Sequence, residues 1–566
     1  MPFTTNTDGH PEGRPTRSDV GSDAGLTRPD LVRRTAAERF GYGDLRPGQL
    51  EAVEALLDGD DVLVVMPTGA GKSAVYQLAA LLLDGPTVVV SPLIALQHDQ
   101  MAGLGGAEGA EAVAVNSAQS GADTDSAWQA MTGGAEFVFL APEQLAKDEV
   151  VERLAALRPS LLVIDEAHCI SSWGHDFRPD YLRVGDVRAR IGDPVVVALT
   201  ATASPPVRAE IIERLRMSPP LEVVRGFDRP NLWLSVQRFS DDAAKRQALV
   251  DVVRRQPMPG LVYVGTRADT ERYAETLAAQ GLRAAAYHAG LRAGVRHEVH
   301  EQFLAGDVDV VVATSAFGMG IDKPNVRFVV HGHISESLDA YYQEIGRGGR
   351  DGGPADATLL YREQDLGLRR FLGGGGPDAD VLAAVAAVLH TGPVSTSELV
   401  KGLSLSRPKV LNAVNLLELA GCVVVSGRGR LRWVDRDVDV AAGVERAAAA
   451  ADERRRIDRS RLEMMRAYAE TNGCRRQLLL GYFGEVLDQP CGHCDTCESA
   501  QAVATATGGA EPFPVNAKVH HAEWGPGVVM HPQGDRITVL FEREGYKTLA
   551  LQALEDTDLL RLDDTA

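Results

Sequence analysis

The chain has 566 residues, of which 45% are hydrophobic and 24% charged, with a formal net charge of -20 and an isoelectric point near 5.2. That apolar content supports several buried cores and excludes a disordered chain, and the length suggests roughly four domains. No apolar run approaches the roughly 18 residues that a membrane helix needs, and the acidic balance excludes a protein that coats nucleic acid by bulk charge while leaving room for local basic grooves.

The opening 1–28 is polar and lacks the apolar core of a secretory signal, so it reads as a disordered tail on a soluble, cytoplasmic protein. From 29 to 365 short apolar runs alternate with helical patterns. VLVVM (62–66), TVVVS (87–91), FVFLA (137–141), LLVID (161–165) and PVVVALT (194–200) suit strands buried on both faces of a parallel sheet. Residues 48–57 and 73–83 read as helices. A second series follows with LVYVG (261–265), DVVVAT (309–314) and FVVHG (328–332). The expected fold class is therefore α/β, with two tandem parallel-sheet lobes over 29–215 and 216–365. Ligands of such sheets sit at the C-terminal strand ends.

MPTGAGKS (66–73) follows the first strand and opens a helix. Gly69 and Gly71 allow backbone N–H groups of the Thr68–Gly71 turn, Ala70 included, to point at phosphate oxygens, and the helix start adds partial positive charge. Lys72 can reach the β and γ phosphates of ATP, and the Ser73 hydroxyl can ligate magnesium. Met66 stands where the general pattern has Gly or Ala. DEAH (165–168) closes the strand LLVID; Asp165 is suited to hold magnesium through its shell, Glu166 to polarise the attacking water, and His168 to link the site to a neighbour. QEIGRGGRDG (343–352) carries Arg347 and Arg350. Their spacing suits one side of a helix, and they can stabilise the transition state only if the second lobe faces the first.

GGGG (373–376) interrupts the chain, and 377–436 then changes character. Residues 394–421 read as two helices and a turn, with Ser406 as N-cap and Pro408 in the first turn, and 422–434 as a hairpin with a Gly-Arg-Gly tip. This resembles a winged helix, with Arg407, Lys409, Arg428 and Arg430 as DNA-contact candidates. An Ala- and Arg-rich helix is expected over 440–470. Cys474, Cys491, Cys494 and Cys497 can close a tetrahedral, structural zinc site with no open position, leaving His493 a bystander. Cys169 and Cys422 read as buried small residues. A linker at 501–513 leads to short strands over 514–566 that look like a small SH3- or Tudor-like barrel, similar to the tail of some UvrD-type helicases and a candidate site for a protein partner.

LRPGQ (45–49), MPTGAGKS, SPLIALQHDQ (91–100), DEAHCISSWGHDFRPDY (165–181), ALTATA (198–203), ATSAFGMGIDKPNVR (313–327), YYQEIGRGGRDG (341–352) and CRRQLLLGYFGE with CGHCDTC (474–497) resemble the ordered motifs of RecQ helicases. The resemblance implies two RecA-like lobes and a zinc-binding module over 440–500. It implies an ATP-dependent 3′–5′ DNA helicase of recombination and repair, using ATP, Mg2+ and Zn2+, acting as a monomer on single-stranded and junction DNA. Carried over by position, Gln49 reads adenine with Arg46 beside it, and Trp173, His175, Phe177 and Arg178 form an aromatic-rich loop that senses single-stranded DNA. Stacking and phosphate contact support that role on general grounds. Thr200 and Thr202 link the cleft to DNA; Thr314 and Asp322 resemble the matching second-lobe motif, and Gln343 belongs with Arg347 and Arg350. Two departures stand out: the winged-helix-like segment precedes the zinc cysteines, and the chain after Cys497 is too short for the family's usual C-terminal pair of domains. An RNA-dependent ATPase or remodeller and a non-catalytic DNA-binding regulator are the competing readings.

Overall fold

The computed structural model describes residues 26–563 except 93–96, 98–99, 102, 105–110, 117–118, 120, 172–177, 319–322, 368–377, 426–429, 435–437, 500–511, 515–516, 534–535, 542–543, 556 and 558. Trp173, His175, Phe177, Asp322 and Arg428, with most of the N-terminal tail, the GGGG break and the linker, lie outside the described residues.

The first lobe is a seven-stranded sheet: β1 (Val62–Val65), β2 (Thr87–Val90), β3 (Ala112–Val115), β4 (Phe137–Leu140), β5 (Leu161–Ile164), β6 (Val195–Thr200) and β7 (Leu221–Val224), in the order β3-β4-β2-β5-β6-β1-β7. Every pairing is parallel. The central strands β1, β2, β4, β5 and β6 are buried at every position, which is why they read as unbroken Val/Leu/Ile runs. The second lobe holds β8 (Leu232–Arg238), β9 (Gly260–Tyr263), β10 (Ala284–Tyr287), β11 (Val310–Ala313), β12 (Phe328–His331) and β13 (Ala355–Tyr361), also all parallel, in the order β10-β11-β9-β12-β13-β8. Apolar clusters on both sides of each sheet show that helices cover both faces.

Helices Ala379–Thr391, Thr396–Leu403 and Arg407–Leu419 pack with a three-stranded antiparallel sheet of β14 (Val394–Ser395), β15 (Val423–Val425) and β16 (Arg430–Trp433). They enclose their own core, Leu382, Val385, Leu389, Val410, Leu417 and Trp433 among its members. Ser406 does occupy the N-cap position and Pro408 the first turn, but the serine hydroxyl makes no capping bond; the capping box is at Ser395 with Glu398. The expected long helix runs Val440–Glu470. Its start contributes Ala447 to that small core, and its end, through Met464, Met465 and Tyr468, joins the main core shared with the lobes.

The cysteine-bearing segment caps the exposed edge strand β8. Leu234 bridges Cys494, and the Val236 amide donates to Asp495 Oδ2 at 2.8 Å. Arg476 holds Leu232 O at 2.6 Å and Asp228 Oδ1 at 3.2 Å. An open edge is a liability for pairing with foreign chains, and here the chain covers its own.

The last segment forms a five-stranded antiparallel sheet of β17 (Lys518–His521), β18 (Gly525–Gln533), β19 (Arg536–Phe541), β20 (Gly545–Ala550) and β21 (Leu560–Leu562). Val519, Val529, Ile537, Val539 and Phe541 make its private core. Its other face is not free: Met530, Leu540 and Tyr546 belong to the core of the two lobes. Tyr546 packs on Tyr482 with ring centroids 5.4 Å apart, the Tyr482 hydroxyl donates to buried Asp339, and Arg461 lies 4.0 Å from the same carboxylate. No helix among the described residues is long and apolar enough to cross a membrane.

Asp61, just before β1, ties the first lobe together. It accepts Arg188 Nη1 at 2.8 Å and Nη2 at 3.1 Å, and the amides of Val196 and Ser218 at 2.9 and 3.3 Å. Both side chains are buried. Removing one member of a buried pair strands the other charge. Asp61→Ala is therefore expected to destabilise this lobe by about 3–5 kcal/mol, read as a lowered calorimetric midpoint for its transition; a midpoint equal to the parent's would contradict this account.

Candidate functional site

The turn between β1 and the helix Lys72–Leu82 has Gly69 at φ 83° and Gly71 at φ 77°, the left-handed conformation that the glycines were expected to supply. Lys72 Nζ is folded inward onto Met66 O at 3.0 Å and Pro67 O at 3.4 Å. Burial holds its ammonium below the usual lysine range; the nearby carboxylates of Glu166 and Asp165 oppose that shift and Arg350 adds to it. Gln49 is buried, and both ends of its amide are used: Nε2 donates to Gly71 O at 2.8 Å and Oε1 accepts the Arg46 amide at 2.7 Å. A Cβ on Gly71 would stand 2.7 Å from Gln49 Nε2, so this glycine is required by close approach as well as by φ. Arg46 Nη1 reaches Gly69 O. Beside them opens a cavity of about 620 Å³ lined by Tyr42, Leu45, Arg46, Pro47, Glu51 and Glu54. Tyr42 was not singled out in the sequence; its signal is an aromatic residue four positions before Arg46.

Asp165 and Glu166 stand at the end of β5. Asp165 Oδ2 accepts Gln100 Nε2 at 2.9 Å and Ser91 Oγ at 3.4 Å. Burial, with the charge of Glu166, pushes the Asp165 carboxyl up to about 6. Burial would raise Glu166 too, but His168, then Lys72 and Arg347, outweigh it and hold that carboxyl below its ordinary range. Glu166 has φ 49°. A non-glycine residue in the left-handed region carries strain, and such strain clusters at active sites. Gln100, which holds Asp165, is a residue that sequence reasoning quoted within a motif without giving it a role.

From here a polar chain crosses the cleft. His168 Nδ1 lies 3.3 Å from Glu166 Oε2 and 2.9 Å from Thr200 Oγ1. Thr200 Oγ1 donates to Thr202 O at 3.0 Å, and Thr202 Oγ1 accepts Gln343 Nε2 from the second lobe at 3.2 Å. The two arginines do not lie on a helix as their spacing suggested. The helix Leu338–Ile345 ends at Gly346, and Arg347 and Arg350 sit in the turns that follow, where the glycines prevent continuation. Both nevertheless face the first lobe. Arg350 Cδ would lie 3.7 Å from a Cβ on Gly69, and Arg347 is buried and close enough to Glu166 to lower its pKa.

Ser73 opens the helix beside Lys72, and Thr68 and Ala70 are partly buried in the turn. Arg178 donates to Pro92 O at 3.1 Å on the same side of the sheet. Thr314 follows β11, its amide bonded to Tyr287 O at 3.3 Å. Arg407 is exposed, whereas Lys409 pairs with Asp378 at 3.2 Å and Arg430 with Glu398 at 3.4 Å. Exposed pairs of this kind contribute little and exchange readily.

The sulfurs of Cys474, Cys491, Cys494 and Cys497 all lie within 4.8 Å of one another, with Cys491 and Cys497 3.9 Å apart. Tetrahedral zinc–thiolate bonds of about 2.3 Å put sulfurs about 3.8 Å apart, so the four residues fit the ion. His493 is outside this group and packs edge-on to Trp233 at 5.1 Å. Cys169 and Cys422 are buried and form no disulfide.

Three family models match: DEAD/DEAH box helicase over residues 46–210, helicase conserved C-terminal domain over 244–352, and RecQ zinc-binding over 434–498. The ATP-dependent DNA helicase RecQ of Bacillus subtilis is 34% identical over 476 residues, 83% of this chain and 67% of that protein. The RecQ of Haemophilus influenzae is 34% identical over 460 residues, 81% of this chain and 62% of that protein. The chain thus spans about three-fifths of the length of the Haemophilus and Pasteurella relatives, 62% and 61%. The DNA-bound DUF1998 helicase MrfA superposes with a TM-score of 0.52 at 16% identity, covering 74% of this chain and 64% of that one, a likeness of fold.

Metal analysis of freshly purified protein is expected to return one zinc per chain. Cys494→Ser, which removes the most buried ligand, is expected to lose the zinc and lower the melting temperature; full zinc occupancy in that variant would contradict the four-cysteine site.

Proposed function

The chain belongs to the RecQ family of helicases, and from that premise we propose that it is an ATP-dependent motor that moves 3′ to 5′ along single-stranded DNA and unwinds the duplex ahead, in recombination and repair. One observation carries the reading: Arg347 and Arg350 of the second lobe lie against the phosphate loop and acidic pair of the first.

In this reading the base of ATP enters the cavity at Tyr42, with Arg46 and Gln49 at its rim. Gln49 bonds the phosphate loop directly, so a base that engages its amide also tugs on the loop. Lys72 leaves the carbonyls of Met66 and Pro67 for the β and γ phosphates, and Thr68, Gly69, Ala70 and Gly71 offer their amides. Ser73 and Asp165 would hold magnesium, which when bound would offset phosphate charge, and Asp322 would assist. Glu166 orients and deprotonates water. Arg347 and Arg350 stabilise the charge that develops on the transferred group, so hydrolysis depends on how the lobes face each other. Gln343, bonded to Thr202, and His168, bonded to Thr200, carry the state of that cleft to the DNA side.

On that side Trp173, His175 and Phe177 would stack bases, with Arg178 and Thr314 near the backbone. The segment 377–436 works as a winged helix; Arg407 meets duplex directly, and Lys409 and Arg430 exchange their carboxylate partners for phosphates. Residues 440–500 form a zinc-braced module, and 514–566 an SH3- or Tudor-like barrel with one face docked on the motor and the rest open to a protein partner. The protein works in the cytoplasm as a monomer.

Lys72→Ala is expected to abolish hydrolysis while leaving single-stranded DNA binding measurable; normal turnover would remove Lys72 from the phosphate site. Duplexes with a 3′ tail are expected to be unwound, and those with a 5′ tail or none are not. Preference for the 5′ tail would reverse the assigned polarity, and equal ATPase stimulation by RNA of matched sequence would favour an RNA remodeller.

A further inference from the structure

Arg347 is 7% exposed, and a buried guanidinium is held where its surroundings hold it. Its Nη2 faces Gly318, where a Cβ would stand 3.5 Å away from it and 3.1 Å from Ser315 O. The residue before Gly318 is fixed from the other side: the Tyr263 hydroxyl donates to Phe317 O at 2.7 Å. The Phe317 ring is packed on Tyr287 and Phe303, with centroids 4.6 and 5.9 Å away, so this stretch has little freedom to shift alone.

Tyr263 ends β9 and is 4% exposed. Its ring stacks on His331, the last residue of the adjacent strand β12, at 5.3 Å and 22°. His331 Nε2 in turn meets Glu344 Oε2 at 2.8 Å, and Ser335 Oγ donates to the same oxygen at 2.9 Å. Glu344 is three residues before Arg347. The Tyr263 hydroxyl therefore sits between the turn that follows β11, which begins at Thr314, and the turn that carries Arg347, beside the guanidinium itself.

We propose that Tyr263 is a positioning residue for ATP hydrolysis: through Phe317 O and Gly318 it ties the DNA-side segment Thr314–Gly318 to Arg347, so that a strand bound at the first sets the guanidinium at the second. This rests on the reading of Arg347 given above. Without the hydroxyl the segment and the arginine move independently, and bound DNA no longer fixes where the positive charge points. A ring that only filled space would do as well without its oxygen.

The test is Tyr263→Phe in the full chain, which keeps the ring and its stack on His331. Losing an optimally placed transition-state charge is worth roughly 100-fold or more, and loosening it is expected to lower the DNA-stimulated kcat about tenfold. KM for ATP, affinity for single-stranded DNA, zinc content and the rate without DNA are expected to stay within about twofold. In an Arg347→Ala chain, followed by single-turnover hydrolysis, adding Tyr263→Phe is expected to change nothing, because the group it acts through is gone. Gly318→Val, whose added Cβ would stand 3.5 Å from Arg347 Nη2, is expected to lower the DNA-stimulated kcat even if Tyr263→Phe folds poorly. The proposal is overturned by a DNA-stimulated kcat near the parent's in Tyr263→Phe or Gly318→Val. It is equally overturned by an undiminished loss in the Arg347→Ala background, or by an equal loss with and without DNA. If Arg347→Ala alone hydrolyses normally, the nucleotide-site reading fails first and takes this link with it.

Discussion

Positive charge gathered from two lobes around one glycine-rich turn organises the molecule. Lys72 comes from the first lobe, Arg347 and Arg350 from the second, and Glu166 and Asp165 lie among them. Burial is the main cause of the lowered Lys72 pKa, and the like charge of Arg350 adds to it. The carboxylates offset part of that repulsion, and a polyphosphate would offset far more. The cleft is thus arranged so that its most charged ligand also favours the facing of its walls. The polar chain Glu166–His168–Thr200–Thr202–Gln343 runs alongside and gives the same two lobes a second connection, through an ion pair and hydrogen bonds.

Much of this was legible in the chain itself, because the relevant signals are local. A buried strand, two glycines, a lysine and a serine in sequence point to the tight turn found between β1 and its helix, and four cysteines at close spacing point to the cluster of sulfurs found near the long helix's end. The winged-helix-like segment and the final strands were visible as pattern, and the described residues form a helical unit with a small antiparallel sheet and a five-stranded antiparallel sheet at those places. What escaped was set by distant partners. Ala284–Tyr287 reads AAAY, a helix-forming composition, yet it is β10 because it pairs with β11. The arginine spacing suggested a helix face, but Gly346, Gly348 and Gly349 turn the chain instead, and the arginines point at the first lobe from turns. Gln100 and Tyr263 gain their roles only from neighbours far away in sequence.

The order of the accessory parts has a mechanical meaning. The long helix Val440–Glu470 anchors the inserted unit at its start and the second lobe at its end. The inserted unit then touches the first lobe through Glu418, which pairs with Arg183 in a mostly buried ion pair. Lobe, helix and insert so make a path around the cleft that is apolar on the second-lobe side and polar on the first. Apolar packing is stiff, and on the first-lobe side the contact includes the Arg183–Glu418 pair, whose charges would be stranded if it parted.

The docked face of the last sheet has a consequence for biosynthesis. Gly545, at φ 75°, lies so close to the long helix that a Cβ would stand 2.2 Å from Ser460 Oγ. The strand bearing it leaves the ribosome after everything it covers, including Tyr482 and the buried flank of that helix. Until then the nascent chain carries an uncovered apolar patch, and domains exposed in this way are prone to aggregation.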